Sequence, residues 1–364
     1  MSGIGLTFIT TILLAYIVWR MCSVGTLRQV ATKKAIVYSG LVVWITLLSG
    51  RFLGHGSSSA WATSAEFLGI TITGVLFLIF ICLFPIDLVT GFGCFSPHWA
   101  PRLRAWAMVG GCILSVAATI QGVRPPVVSH YEVKLHNLST KLDGTTLVAL
   151  SDLHLGSTLG PEWLESRVSQ VNDMKPDMIF LLGDICEGHG ENIEAFMPAL
   201  QKFSAPLGIW SVNGNHENHG KKRDLNSSFT RAKIVTLQDE CIEVTPGLLL
   251  AGRNTIHNRN EAQANQPWNP PQDHPAGSLI LLSHVPENYQ DATVAGVDLM
   301  LSGHTHSGQL WPFNHLVAIA HPKLQGRYEV DGMTLLVTRG AGTWGPRMRL
   351  WQPSEILHVT LRSE

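Results

Sequence analysis

The sequence has 364 residues, with 26 Lys and Arg against 27 Asp and Glu, 16 His, 6 Cys and 45% hydrophobic residues; at about 100–200 residues per domain that is chain enough for two or three domains. A net charge of −1, aperiodic Gly and sparse Cys exclude disorder, collagen-like repeats and a small disulfide scaffold. The charge is unevenly divided: residues 1–130 hold eight basic and two acidic residues and the remainder 18 and 25, net +6 and −7, which points to two regions in different solvents and leaves no large basic face for nucleic acid.

Four stretches of the amino-terminal region lack Asp, Glu, Lys and Arg and are rich in Leu, Ile, Val, Ala and Phe: residues 1–19, 35–50, 67–86 and 105–123. About 20 apolar residues cross a hydrocarbon core of roughly 30 Å, so these predict an integral, multi-pass membrane domain over 1–123 with four transmembrane helices. The second is the weakest, because its sixteen residues need Lys34 and Arg51 to snorkel outward from either end. No basic residue precedes the first apolar run and Arg20 follows it, so a retained helix fits better than a cleaved leader. Arg20, Arg28, Lys33 and Lys34 follow the first span, Arg102 and Arg104 follow the third, and only Arg51 lies between the second and third. Basic loops stay in the cytoplasm, which places both ends of the membrane domain, and everything after it, on the extracytoplasmic side; the side reverses if the second stretch does not cross. Glu66 and Asp87, at the edges of the third stretch, read as solvated end charges. Residues 124–130, with Pro125 and Pro126, read as a short stiff linker.

From residue 131 to 364 the pattern changes to short β-rich runs alternating with amphipathic segments, the signature of an α/β fold. Residues 146–150 form an apolar run ending in Ser151-Asp152-Leu153-His154, after which 161–174 has helical spacing. Residues 178–182 end in Gly183-Asp184-Ile185-Cys186-Glu187, followed by a helical stretch over 193–203. The run 207–212 ends in Asn213-Gly214-Asn215-His216-Glu217, 279–282 in Ser283-His284, and 299–301 in Ser302-Gly303-His304-Thr305-His306. Ligand sites in open α/β sheets lie beyond the carboxyl ends of strands, so five such ends can meet in one pocket.

One Asp or His after a strand is ordinarily a cap or a satisfied core group; five in register are not. Asp152, His154, Asp184, Asn215, His284, His304 and His306 offer only oxygen and imidazole nitrogen, a set suited to Mn, Fe or Zn. Seven donors exceed one tetrahedral site and suit two divalent ions roughly 3.5–4 Å apart that share a carboxylate, the arrangement that clamps both oxygens of a phosphoryl displacement. Gly183, Gly214 and Gly303 are expected to let the backbone turn sharply before a ligand.

At these residues the chain resembles the calcineurin-like metallophosphoesterase superfamily, whose pattern runs D-x-H, G-D-x-x-E/D, G-N-H-E/D, a single His and G-H-x-H, in that order. The stretch from Gly303 to Gln309, and the ending through Gly340, Arg347 and Ile356, are similar to the YkuE-type subgroup and to transmembrane proteins with a metallophosphoesterase domain. Where that subgroup often has a second Gly after the last His, this chain has Ser307. The resemblance implies a four-layer αββα sandwich of two mixed sheets flanked by helices. It implies that Asp152, His154 and His306 hold one ion, Asp184 bridges, and Asn215, His284 and His304 hold the other. Two cations lower the pKa of a bridging water toward neutrality, and the resemblance implies that His216 is the catalytic residue, placed to stabilise the phosphoryl oxygens or protonate the leaving oxygen. Glu187 and Glu217 either orient imidazoles or are ordinary surface carboxylates. His321 lacks ligand spacing and reads as a surface or capping residue.

Arg347 and Arg349 alternate as on a strand, where they either reach a phosphate together or line a solvated face. The apolar run 310–320 follows the last ligands directly and is either core or a flap touching the membrane. The expected activity is hydrolysis of a phosphoester by a membrane-anchored dinuclear enzyme, acting on lipid or lipid-linked esters or on soluble ones. The rival expectation is a non-catalytic, metal-bound interaction scaffold, against which His216 and the full ligand set both count.

Overall fold

The structure, a computed structural model, describes residues 3–54, 60–187, 193–217, 225–254 and 276–364. It divides into two units, Met1–Val123 with Gly345–Trp351, and Arg124–Trp344 with Gln352–Glu364.

The first unit is helical: α1 (Gly3–Met21), α2 (Gly25–Val30), α3 (Lys33–Ser49), α4 (Ala60–Val89) and α5 (Ala100–Val123). Lys33–Phe52, Trp61–Val89 and Ala100–Val123 are long and apolar enough to cross a bilayer, whereas Gly5–Met21 is shorter. The expected order of strength is therefore inverted. The second stretch gains two residues at its start, Lys33 and Lys34, where the Thr32 side chain accepts from Ala35 N at 3.2 Å, and extends through a π-turn over Gly50–Gly54. A Cβ on Gly111 would lie 2.6 Å from Ile79 Cα, so α4 and α5 meet backbone to backbone.

Asp87 is not a solvated end charge. It is fully buried, with Oδ2 2.5 Å from Arg20 Nε and from the Tyr16 hydroxyl, and Oδ1 2.7 Å from Arg104 Nε. The ends of α1 and α4 and the start of α5 thus share one carboxylate. Arg347 and Arg349 are on no strand either, so the strand alternation expected of them is absent. Their segment joins the helical unit, where Arg349 N donates to Ala118 O at 2.9 Å and Trp351 N to Gln121 Oε1 at 2.9 Å. The Arg349 side chain has no exposed surface.

The second unit holds two mixed sheets. One has the order β1 (Val127–Leu135), β12 (Glu355–Ser363), β2 (Thr146–Leu150), β3 (Met178–Leu181), β4 (Ile209–Ser211), β5 (Ile234–Thr236). The other runs β10 (Gly326–Val330), β11 (Met333–Val337), β9 (Leu299–Ser302), β8 (Ser278–Ser283), β7 (Leu248–Arg253), β6 (Glu240–Thr245). Strands β2 to β5 are mutually parallel, as are β7, β8, β9 and β11. The stretch expected as linker ends early, because β1 begins at Val127.

Alternate residues explain why the central strands are apolar throughout. Leu147, Ala149, Phe180, Leu250, Leu282 and Leu301 form the layer between the sheets. Val148, Leu150, Ile179 and Leu181 face outward onto Leu164, Val168 and Val171 of α6 (Pro161–Asp173). Beside α6 lie α7 (Met197–Leu200) and α8 (Leu225–Arg231); the helix expected over 193–203 is a 3-10 turn, Ile193–Ala195, followed by α7. On the far sheet Leu249, Leu281 and Met300 pack with Ala292 of α9 (Tyr289–Val294). Strands covered on both faces leave no position for alternation with polar residues, and the result is an αββα sandwich.

Candidate metal centre

Five strand ends deliver the predicted residues: β2 leads to Asp152 and His154, β3 to Asp184, β4 to Asn215 and His216, β8 to His284, and β9 to His304 and then His306. Main-chain bonds lock the loops together. Asp152 N donates to Gly183 O and His154 N to Asp184 O, both at 3.0 Å, and Gly303 N to His284 O at 2.9 Å. Asp152, His154, Asp184, His304 and His306 all have left-handed backbone, with φ of 56°, 45°, 51°, 70° and 47°, which costs a non-glycine residue roughly 1–2 kcal/mol. Such strain survives only where the surroundings over-determine it, and it gathers at functional sites.

Sharp turning accounts for only one of the three glycines. Gly183 has φ of +84°. Gly214 and Gly303 are needed instead for close approach: a Cβ would lie 2.2 Å from Asp184 Oδ1 at the first and 1.9 Å from Ser151 Oγ at the second.

The side chains converge. Donor atoms of Asp152, His154 and His306 lie within 4.8 Å of one another, as do those of Asp184, His284 and His304, and those of His154, Asp184 and His216. His154 Nε2 is 3.0 Å from His306 Nε2 and 4.0 Å from both Asp152 Oδ1 and Asp184 Oδ2. His284 Nε2 is 3.2 Å from Asp184 Oδ2, from Asn215 Oδ1 and from His304 Nδ1. All seven expected ligands and His216 are therefore in one place, with Asp184 common to two groups. Asp152 Oδ1 is buried among these nitrogens without a hydrogen-bond partner. A buried carboxylate oxygen in that state is costly, and a cation between it and the imidazoles removes the cost. The all-oxygen-and-nitrogen donor set fits divalent metal.

Surrounding groups set the tautomers. His284 Nδ1 donates to Leu182 O at 2.7 Å and His154 Nδ1 to Glu187 Oε2 at 2.8 Å, so each turns Nε2 toward the cluster. Glu187 O also accepts from His216 Nδ1 at 3.0 Å. Glu217 orients no imidazole and is no surface carboxylate. It accepts from four backbone amides, those of Asp184 (2.9 Å), Ile185 (2.6 Å), Cys186 (3.1 Å) and Gly214 (2.7 Å), and so pins the loop carrying Asp184 to the loop carrying Asn215. The acidic fourth residue of the Gly214-Asn215-His216-Glu217 block is its only trace in the sequence.

Burial opposes charge on His154 and His284, but the carboxylates beside them prevail. Glu187, with Asp184 and Asp152, carries His154 up to about 9, and Asp184 carries His284 up to about 10. Burial, then the His284 charge, drives His304 down to about 3, leaving it a neutral donor. Asp184, despite its burial, is held well below the usual carboxylate range by His284 and His154. Burial and the Asp184 charge push Glu217 up, against the amide bonds that favour its ionised form.

Residues 145–308 match the calcineurin-like phosphoesterase family. An uncharacterized metallophosphoesterase of Campylobacter jejuni is 31% identical over 259 residues, 69% of this chain and 67% of that protein. The chain belongs to the calcineurin-like metallophosphoesterases. A Bos taurus protein named as a transmembrane protein with metallophosphoesterase domain is 29% identical over 283 residues, 71% of this chain and 62% of its own length. The metallophosphoesterase YkuE of Bacillus subtilis is 28% identical over 247 residues, 65% and 85% respectively. The chain thus spans about two thirds of the length of the first two relatives. Among solved structures, a dimetal phosphatase from Danio rerio aligns over 55% of this chain and 88% of its own, with 16% identity and a TM-score of 0.36.

One residue of this metallophosphoesterase escaped the motif reading. The His321 ring stands edge-on to His304 with centroids 5.1 Å apart, which nothing in its spacing announces.

Proposed function

We propose that the protein is a membrane-anchored, dinuclear metal-dependent phosphoesterase acting on the phosphoester bonds of lipids or lipid-linked molecules. The observation that carries this reading is the convergence of three overlapping donor groups, two of them sharing Asp184 and two sharing His154, with an Asp152 oxygen that no hydrogen bond satisfies buried among the imidazoles. Asp152, His154 and His306 would hold one cation, Asn215, His284 and His304 the other, with Asp184 within reach of both. Bound cations supply Lewis-acid charge for the phosphoryl oxygens and for activating water. The protein's own part is orientation and proton supply: Glu187 aims His154, Glu217 holds two ligand loops in register, and His216, fixed through Nδ1 by the Glu187 carbonyl, gives a proton to the leaving oxygen.

Anchoring is supported by three helices of spanning length and by a relative named as transmembrane. The Asp87 cluster supports four crossings: it brings together the end of α1, the end of α4 and the start of α5, which a chain crossing at α1, α3, α4 and α5 places on one side. With the basic loops inside, the catalytic unit is extracytoplasmic.

His216→Ala is expected to keep its metal and lose about 10²–10⁴-fold in turnover, whereas Asp184→Asn loses metal as well. Metal analysis of the purified protein, coupled to assays on a soluble aryl phosphodiester and on membrane lipids in mixed micelles, checks both. Unchanged turnover in the two variants removes the mechanism, and equal rates in and out of micelles remove the lipid preference.

A further inference from the structure

The last two candidate ligands are followed by an apolar helix none of whose residues is fully buried. In α10 (Phe313–Ala320) no residue is buried. Trp311 (43% exposed), Phe313 (41%), Leu316 (61%) and Ile319 (79%) face outward, and Phe313, Leu316 and Ile319, three residues apart, share one side of the helix. No charged side chain occurs from Gln309 to Ala320. Contiguous exposed apolar surface of this kind marks an interaction site, so of the run expected as either core or flap only its first residue, Leu310, is buried.

This helix is tied to the site at both ends. His306 opens the turn that leads into it, and a Cβ on Gly308 would lie 2.2 Å from Asn314 Cα. Gln309 Nε2 donates to Trp344 O at 3.0 Å while Trp344 N donates to Gln309 Oε1 at 2.9 Å, which ties a second half-exposed tryptophan to the turn that leads into α10. Past its far end, His321 stacks edge-on against His304, and Thr305 Oγ1 donates to Leu324 O at 2.7 Å.

We propose that α10 seats in the surface of the lipid bilayer and holds the metal centre at headgroup depth. The bilayer is the occupant because the same chain supplies helices of spanning length and passes from Val123 of α5 to Val127 of β1 through three residues. A short helix without Asp, Glu, Lys or Arg, with an apolar side and an indole at its rim, is built to lie in an interface, whereas it offers a protein partner no carboxylate, ammonium or guanidinium to recognise. The inference rests on the reading of the helical unit as bilayer-embedded, and it deepens the substrate assignment. An amphiphile's phosphoester reaches the cations while its acyl chains stay in the membrane.

The test uses the full chain in phosphatidylcholine nanodiscs whose acyl chains carry a photoactivatable diazirine, with adducts mapped by mass spectrometry. Acyl adducts are expected on residues 311–320 as well as on α3, α4 and α5. In the Leu316→Asp/Ile319→Asp double variant the adducts on 311–320 fall at least about tenfold, while those on the spans and the metal content persist. Adducts on the spans but none on 311–320 overturn the proposal and leave the membrane reading standing; no adducts on either overturn both. Should the double variant lose its metal, the labelling of the unaltered protein decides alone.

Discussion

Ser307 is buried with left-handed φ of 52°, and its hydroxyl has no hydrogen-bond partner. Glycine there relieves roughly 1–2 kcal/mol of backbone strain and an unpaired buried hydroxyl, against about 0.4–1 kcal/mol of extra chain entropy lost on folding. Ser307→Gly should therefore gain about 1 kcal/mol and raise the melting temperature by about 2–4 °C, with metal content unchanged; a lower melting point would contradict it. The raised pKa values make a second prediction. His154 at about 9 and His284 at about 10 hold protons through neutral pH, so metal uptake must displace them. Affinity should climb with pH, about tenfold per unit for each proton displaced, until those values are passed. Calorimetric titration in buffers of different ionisation enthalpy measures the release, and none would contradict the assignment. At this scale the candidate ligands were legible because each stands in a fixed motif at a strand end, and Ser307 was visible as a departure from it. Glu217 was not: four backbone amides converging on one carboxylate leave no pattern in side-chain chemistry.

The helical elements invert that experience. Composition located every apolar stretch, but Asp87 read as an end charge because its partners, Tyr16, Arg20 and Arg104, lie 71, 67 and 17 positions away in the sequence. Removing one member of a buried ion pair costs roughly 3–5 kcal/mol because the other charge stays behind unpaired, and here two guanidiniums would remain. Asp87→Ala is expected to lower the detergent-solubilised protein's melting temperature sharply and to free the end of α1 for proteolysis. A variant as stable as the parent would show the cluster to be dispensable. Strands were legible wherever both faces are covered, since such runs are apolar throughout. The segment over 193–203 was misjudged because its residues pack against the core through a 3-10 turn as readily as through a long helix.

For the whole molecule, the division of charge between residues 1–130 and the rest foreshadowed two units, and the basic loops of the first predict the topology. An alkaline phosphatase fused after Glu364 should be active, because that enzyme matures only outside the cytoplasm, and a green fluorescent protein in its place should be dark. The opposite result would mean that one apolar helix fails to cross. The boundary between the units was less legible than their existence, since Gly345–Trp351 groups with the helices although both its flanks belong to the sandwich. The chain departs after β11, lays Arg349 against Ala118, and returns to form β12, which is hydrogen-bonded between β1 and β2. Trimming the protein at Arg124 would therefore not liberate a tidy water-soluble hydrolase. It would strip Met348 and Leu350 of the surroundings that bury them and leave a greasy loop wedged between two strands of the catalytic fold.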